Sequence, residues 1–186
     1  MRWIPFLLLA WVFLSLEIGL RSAMPFAEAG TAPGFALILC VYAAFGATPQ
    51  AARWAALLLG ACVDLASPRL LEGGGVLTVL GPNALGFLLA AQFTLVMRGV
   101  VFRKNPLALA LMAALAAAEC AVLVAAFLSL RALYDPMVWA AGRELWHGLL
   151  SAVYTGLVAL PLGAVLLALN PLLGFYSGPA RRGIGR

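Results

Sequence analysis

Glu17, Asp64 and Glu119 each lie inside a long apolar run. A carboxylate at the centre of a membrane helix costs about 2.5–3.5 kcal/mol on insertion scales. Such residues persist where neighbouring segments receive them. Asp64 is the sharpest case: it sits near the end of the run Leu57 to Leu65. A glycine-broken apolar segment, Gly81-Pro82-Asn83-Ala84-Leu85, follows soon after.

The rest of the chain allows few alternatives to a membrane setting. Hydrophobic residues make up 65% of the 186 residues and charged ones 10%. Soluble domains are about 45–50% apolar and about 25% charged. The excess is too large for one water-soluble core, so the sequence implies an all-α integral membrane protein. Nearly all of it is needed for spans and short loops. Residues 1–176 form one transmembrane domain, and the polar, basic stretch 177–186 is expected to be a disordered tail touching anionic lipid.

Six helices are expected: Trp3 to Leu20, Pro33 to Ala47, Pro49 to Ser67, Pro82 or Asn83 to Met97, Pro106 to Leu130, and Trp146 to Leu169. Thr48 and Asn105 read as N-caps, each followed by proline at the first helical position. Pro161 is a candidate kink in the sixth helix. The second and fourth helices are short for a bilayer that needs about 20 residues, which points to half-buried ends or thinned lipid. The first helix resembles a signal sequence in its Arg2 and its apolar run. Its length and the charge at Glu17 favour a retained span.

Placing the N-terminus inside puts Arg2, Arg53, Arg98, Arg103, Lys104, Arg181, Arg182 and Arg186 on the cytoplasmic side, with no acid among them. The outer segments hold Arg21, Arg69, Arg131 and Arg143, balanced by Glu28, Glu72, Asp135 and Glu144. Eight cations against four is the positive-inside pattern, and six spans then put the C-terminus inside too. The net charge of +5 is thus a topology signal. The scattered cations argue against a nucleic-acid partner and leave Arg98, Arg103, Lys104, Arg181 and Arg182 as cytoplasmic contacts.

At 1.5 Å per residue, the three buried acids lie roughly 20 Å above the inner helix starts, in one acidic layer of the outer half. Arg21 follows Glu17 at helical pairing distance. Arg69 lies just past Asp64 and is placed to fold back onto it. The N-terminus of the fourth helix, with Asn83, opens at the same level and favours an anion. His147 opens the sixth helix on that side, as an interfacial structural residue. The acids have two readings, as hydrogen-bonded struts between helices or as ligand or proton sites. Asp135-Pro136 is expected to cap a short surface helix, with Trp139 and Trp146 as interfacial anchors. Cys40, Cys62 and Cys120 read as small buried hydrophobes.

Catalytic patterns are missing. A single histidine rules out His-Glu-x-x-His, and the one lysine, Lys104, sits in no Walker loop. Gly73-Gly74-Gly75 reads as a flexible turn. No metal set, cofactor site or enzymatic pair is in evidence.

Four features together resemble the MreD family of bacterial rod-shape-determining membrane proteins. One is the short apolar chain with an inside N-terminus. Another is Gly60-x-x-x-Asp64-Leu65, ending the third span. The third is Gly81-x-Asn83-Ala84-Leu85-Gly86, opening the fourth, and the last is the basic turn Arg98 to Pro106. Pro82 and the long Leu70–Val79 linker depart from the family pattern. The resemblance implies a non-enzymatic scaffold of cell elongation and peptidoglycan synthesis in the bacterial inner membrane. It implies binding of an MreC-like single-span protein, with the MreB cytoskeleton, a RodA-type polymerase and a penicillin-binding transpeptidase as further partners. It makes Asp64, Asn83, Glu119 and Glu17 family-type positions, with Gly60, Gly81 and Gly86 at the helix junctions. The fold implied is similar to the substrate-binding components of energy-coupling-factor vitamin transporters. That likeness supplies the alternative: small-molecule capture in a deep outer pocket lined by Glu17, Asp64, Asn83 and Glu119.

Overall fold

The computed structural model describes residues 1–23, 31–70, 74–99, 105–135 and 137–174, with backbone only at 21–23, 70 and 172. Glu28, Glu72, Arg103, Lys104, Arg181, Arg182, the tail 177–186 and the side chain of Arg21 lie outside that description. The expected Glu17–Arg21 pairing falls there too.

The chain is mostly helical: α1 (Trp3–Ala23), α2 (Phe35–Gly46), α3 (Pro49–Leu65), α4 (Pro82–Met97), α5 (Pro106–Arg131), α6 (Ala141–Ala168) and a single closing turn, α7 (Asn170–Leu173). Three of them, α1, α5 and α6, are long and apolar enough to cross a membrane. Large apolar side chains such as Ile4, Leu8, Trp11, Leu111, Leu115, Val153 and Leu157 stand exposed along them. A water-soluble monomer does not display apolar surface on that scale; a protein solvated by lipid does.

Helix α2 is the hub. Every residue from Phe35 to Phe45 is buried, and α1, α3, α4, α5 and α6 all pack against it. A helix that is apolar all round belongs inside. Its shortness is therefore accommodated by a sheath of protein in which its ends are buried. Twelve residues rise only about 18 Å, and both helix ends stay within the bundle.

The α5–α6 pair is antiparallel and held close by small residues. A Cβ on Gly148 would meet Ala121 Cβ at 2.7 Å, one on Gly156 would meet Ala114 Cβ at 2.8 Å, and one on Gly163 would meet a Leu109 methyl at 3.0 Å. Backbones approach this closely only where side chains are absent or small. The same device joins α3 to α4. A Cβ on Gly60 would lie 2.6 Å from both Ala84 Cα and Asn83 O.

Several boundaries differ from the sequence reading. Helix α3 ends at Leu65, two residues early. Helix α6 begins at Ala141, five residues before Trp146, so His147 lies in its second turn rather than at its start. Pro161 sits within the continuous α6. Among the described residues, Asp135 caps no helix. Its carboxylate takes the Arg131 guanidinium at 2.7 Å, an i,i+4 pair that ends α5 instead. The linker after α3 carries a two-residue antiparallel ribbon, β1 (Arg69–Leu70) with β2 (Val76–Leu77), in register Arg69↔Leu77. Gly74 supplies the left-handed backbone of its turn at φ +81°. Cys40 and Cys120 are buried as expected, whereas Cys62 is exposed because it shares the outward face of α3 with Leu58 and Leu65.

Gly60→Ala should lower the unfolding midpoint of the detergent-solubilised protein, at a cost of about 1–3 kcal/mol for overpacking against backbone that cannot rotate away. Gly142→Ala, where a new Cβ has nothing within 4 Å, should leave the midpoint unchanged in the same assay.

Candidate functional site: carboxylate junctions and the adjoining cavity

A helix that begins inside protein carries unsatisfied N–H groups in its first turn. Both short helices here begin that way, and each receives a carboxylate from the helix before it. Asp64, 2% exposed at the end of α3, accepts four hydrogen bonds. Its Oδ2 takes Gly81 N at 2.8 Å and Ala84 N at 3.1 Å; its Oδ1 takes Asn83 N at 3.0 Å and Asn83 Nδ2 at 2.9 Å. Gly81 reaches this position with φ +130°, a conformation closed to most side-chain-bearing residues. Pro82 costs nothing at the first helical position, where its missing N–H has no partner to lose.

Glu17 does the same for α2. It is 4% exposed, and its Oε2 accepts from Ala36 N at 2.9 Å. Gly34 N, at the α2 N-cap, donates to Thr155 Oγ1 at 2.9 Å, and the hydroxyl of Ser151 donates to Ala32 O. The sequence reading did not pair Glu17 with α2. The missed signal is a spacing: an acid late in one apolar helix, then a short apolar helix opening after glycine.

The other end of α2 is closed by a cation. Arg98 Nη1 donates to Ala47 O at 3.0 Å and to Ala44 O at 3.3 Å. Arg98, expected among the cytoplasmic contacts, satisfies orphan carbonyls at the α2 C-terminus through these two bonds. With Glu17 at one end and Arg98 at the other, the charges on α2 complement its dipole.

Arg69 does not fold back on Asp64, whose four acceptor contacts are already filled from α4. Its guanidinium lies 3.4 Å from Glu144 Oε2 and 5.6 Å over the ring of Trp139. Trp139 in turn donates from Nε1 to Ser129 Oγ at 3.0 Å. Trp146 is 60% exposed on α6.

Between these elements lies a cavity of about 170 Å³. Glu17, Asn83, Arg69, Glu144, His147 and Thr155 bring polar atoms to its wall. Asp64 and Glu119 are not among its lining residues. Asp64 faces the α4 N-terminus, and Glu119 lies on another face of α5 with its Oε2 buried and without a hydrogen-bond partner. Two of the three acids thus serve helix starts, and the third does not join them. Gly86 marks a close approach of α4 to α5: a Cβ there would stand 2.6 Å from Cys120 Sγ. Among the described residues no cluster of His, Cys, Asp and Glu is placed to hold a metal.

The chain matches no family model, no curated protein and no solved structure.

Asp64→Ala leaves three backbone N–H groups and one amide without their acceptor. At about 1–3 kcal/mol for each buried donor stranded, the change should destabilise the protein by at least about 3 kcal/mol, read as a lowered unfolding midpoint in detergent. Asp64→Asn retains one oxygen and should fall between. A wild-type midpoint for Asp64→Ala would show that the junction contributes nothing.

Proposed function

We propose that the chain is a six-span scaffold of the bacterial cell-elongation machinery, similar to MreD, with both termini cytoplasmic. In this reading it sits in the inner membrane and binds an MreC-like single-span protein. The supporting observation is the α3–α4 junction. Gly60, Asp64, Gly81, Asn83 and Ala84, on which the resemblance rests, meet there in one clamp. A clamp of that kind fixes the angle between helices and leaves no free functional group, as a scaffold requires and an enzyme does not.

The six-span topology rests on charge and on helix ends. Arg2, Arg53 and Arg98 fall at one end of the bundle, and Arg69, Glu144 and the Arg131–Asp135 pair at the other. With the sheathed α2 and the short α4 counted as crossings, the chain passes six times.

The transporter reading is favoured by one observation, a cavity containing Glu17 and Asn83. Its volume counts against a vitamin-sized ligand, since pockets for such molecules run from about 300 to about 1,000 Å³. Asp64 and Glu119 lie outside it. The bulky exposed face of α1, with Ile4, Leu7, Leu8 and Trp11, also lacks the small residues that a close coupling contact needs.

Affinity purification of the full chain from bacterial membranes, co-expressed with an MreC-like protein, separates the two. The scaffold reading expects the partner to co-purify, with recovery reduced in Asp64→Ala and partly restored in Asp64→Asn. Recovery of a vitamin-sized compound and no partner would replace it. Unchanged partner recovery and unchanged rod shape in Asp64→Ala would remove the junction from the function.

A further inference from the structure

Helix α6 is mostly apolar, yet Glu144, His147, Ser151 and Thr155 fall at spacings of three and four and share one side of it. All four line the cavity. Within a lipid-solvated bundle, polar groups turned onto a common space mark a place for something polar.

The hydrogen bonds divide this lining into committed and available groups. Thr155 Oγ1 accepts from Gly34 N and donates to Ser151 O; Ser151 Oγ donates to Ala32 O. Asn83 Nδ2 is held by Asp64. These groups hold the floor, where Glu17 and Thr155 are buried. Two features remain for a ligand. The Nδ1 of His147 is buried and without a hydrogen-bond partner. At the mouth, Arg69 and Glu144 are each about one-third exposed and share a single contact of 3.4 Å. A bidentate pair would be shorter and stronger, and a partly exposed single contact is worth little, so this pair separates easily.

We propose that this cavity binds a small zwitterion of amino-acid size, whose carboxylate takes Arg69 and whose ammonium takes Glu144 and His147 Nδ1. The charge logic selects the class. A ligand with one charge would satisfy one member of the pair and strand the other in a partly desolvated wall. A ligand carrying both signs replaces both partners at once. The volume of about 170 Å³ admits a molecule of that size and excludes a cofactor. Trp139, beneath Arg69, fixes the guanidinium at the mouth while Glu144 is released. The site does not depend on the scaffold reading, since partner recovery and ligand binding are measured separately.

Equilibrium dialysis of the purified full chain in detergent against radiolabelled L-alanine tests the proposal. Saturable binding is expected, displaced by unlabelled alanine and at least tenfold less well by ethylamine or propionate. Arg69→Gln and Glu144→Gln should each weaken binding at least tenfold and His147→Ala at least threefold. Arg69→Lys, which keeps the charge, should stay within threefold of wild type. Arg53→Gln, at the opposite end, should bind as wild type. Absence of saturable binding, displacement by ethylamine or propionate as effective as by alanine, or equal loss in Arg69→Lys and Arg69→Gln would overturn it.

Discussion

The architecture depends on how two short helices begin inside protein. A buried N-terminus exposes backbone donors to surroundings with no water, and each stranded donor costs about 1–3 kcal/mol. Asp64 and Glu17 remove that penalty for α4 and α2 respectively. The arrangement works in both directions. The carboxylates would be costly in an apolar bundle without fixed donors, and the donors would be costly without an anion. Each makes the other tolerable, which is why neither helix needs to reach the bundle surface at that end.

The two cases share a design. A long or medium helix ends near an acid, a linker follows, and a short apolar helix starts on that acid: α1 with α2, then α3 with α4. They differ in strength. Asp64 takes three backbone donors and a side-chain amide, while α2 adds Thr155 and Ser151 from α6 to what Glu17 supplies. The first junction is closed locally in sequence; the second draws on residues more than a hundred positions away. A small residue completes the first, Gly60 letting α4 approach α3, and Gly86 in turn lets α5 approach α4.

What could be read in advance follows from the range of the interaction. Asp64 with the Asn83 segment was legible because both partners are close in the chain, and because an aspartate in an apolar run demands a donor. Asn105 was legible as the α5 cap for the same reason, and its side chain accepts from Leu107 N. Glu17 was recognised as buried, but its α2 partner was not, since Ala36 offers only backbone. The contacts of Arg98 with Ala44 O and Ala47 O were not legible, because a terminal arginine looks identical whether it faces solvent or caps a neighbour's carbonyls. Arg69 was misassigned by proximity to Asp64; the charge that claims it, Glu144, comes from α6. The Asp135-Pro136 pattern is a sound helix-start signal in isolation, but an arginine four residues earlier captured the aspartate. Periodicity gave α6 its span but not its first turn, because Ala141 to Leu145 carries two charges before the apolar run begins.

The sealed position of α2 has a consequence for biosynthesis. Its beginning is tied to Thr155 on the last long helix, and its end to Arg98 at the close of α4. As the chain emerges from the ribosome, this segment is made second yet obtains its complete surroundings only near the finish. Until then twelve oily residues lack their protein sheath, in a bilayer they are too short to cross comfortably. The nascent molecule therefore holds an unfinished centre through most of its synthesis, and closure around it is a late, collective event rather than the stepwise addition of one crossing after another.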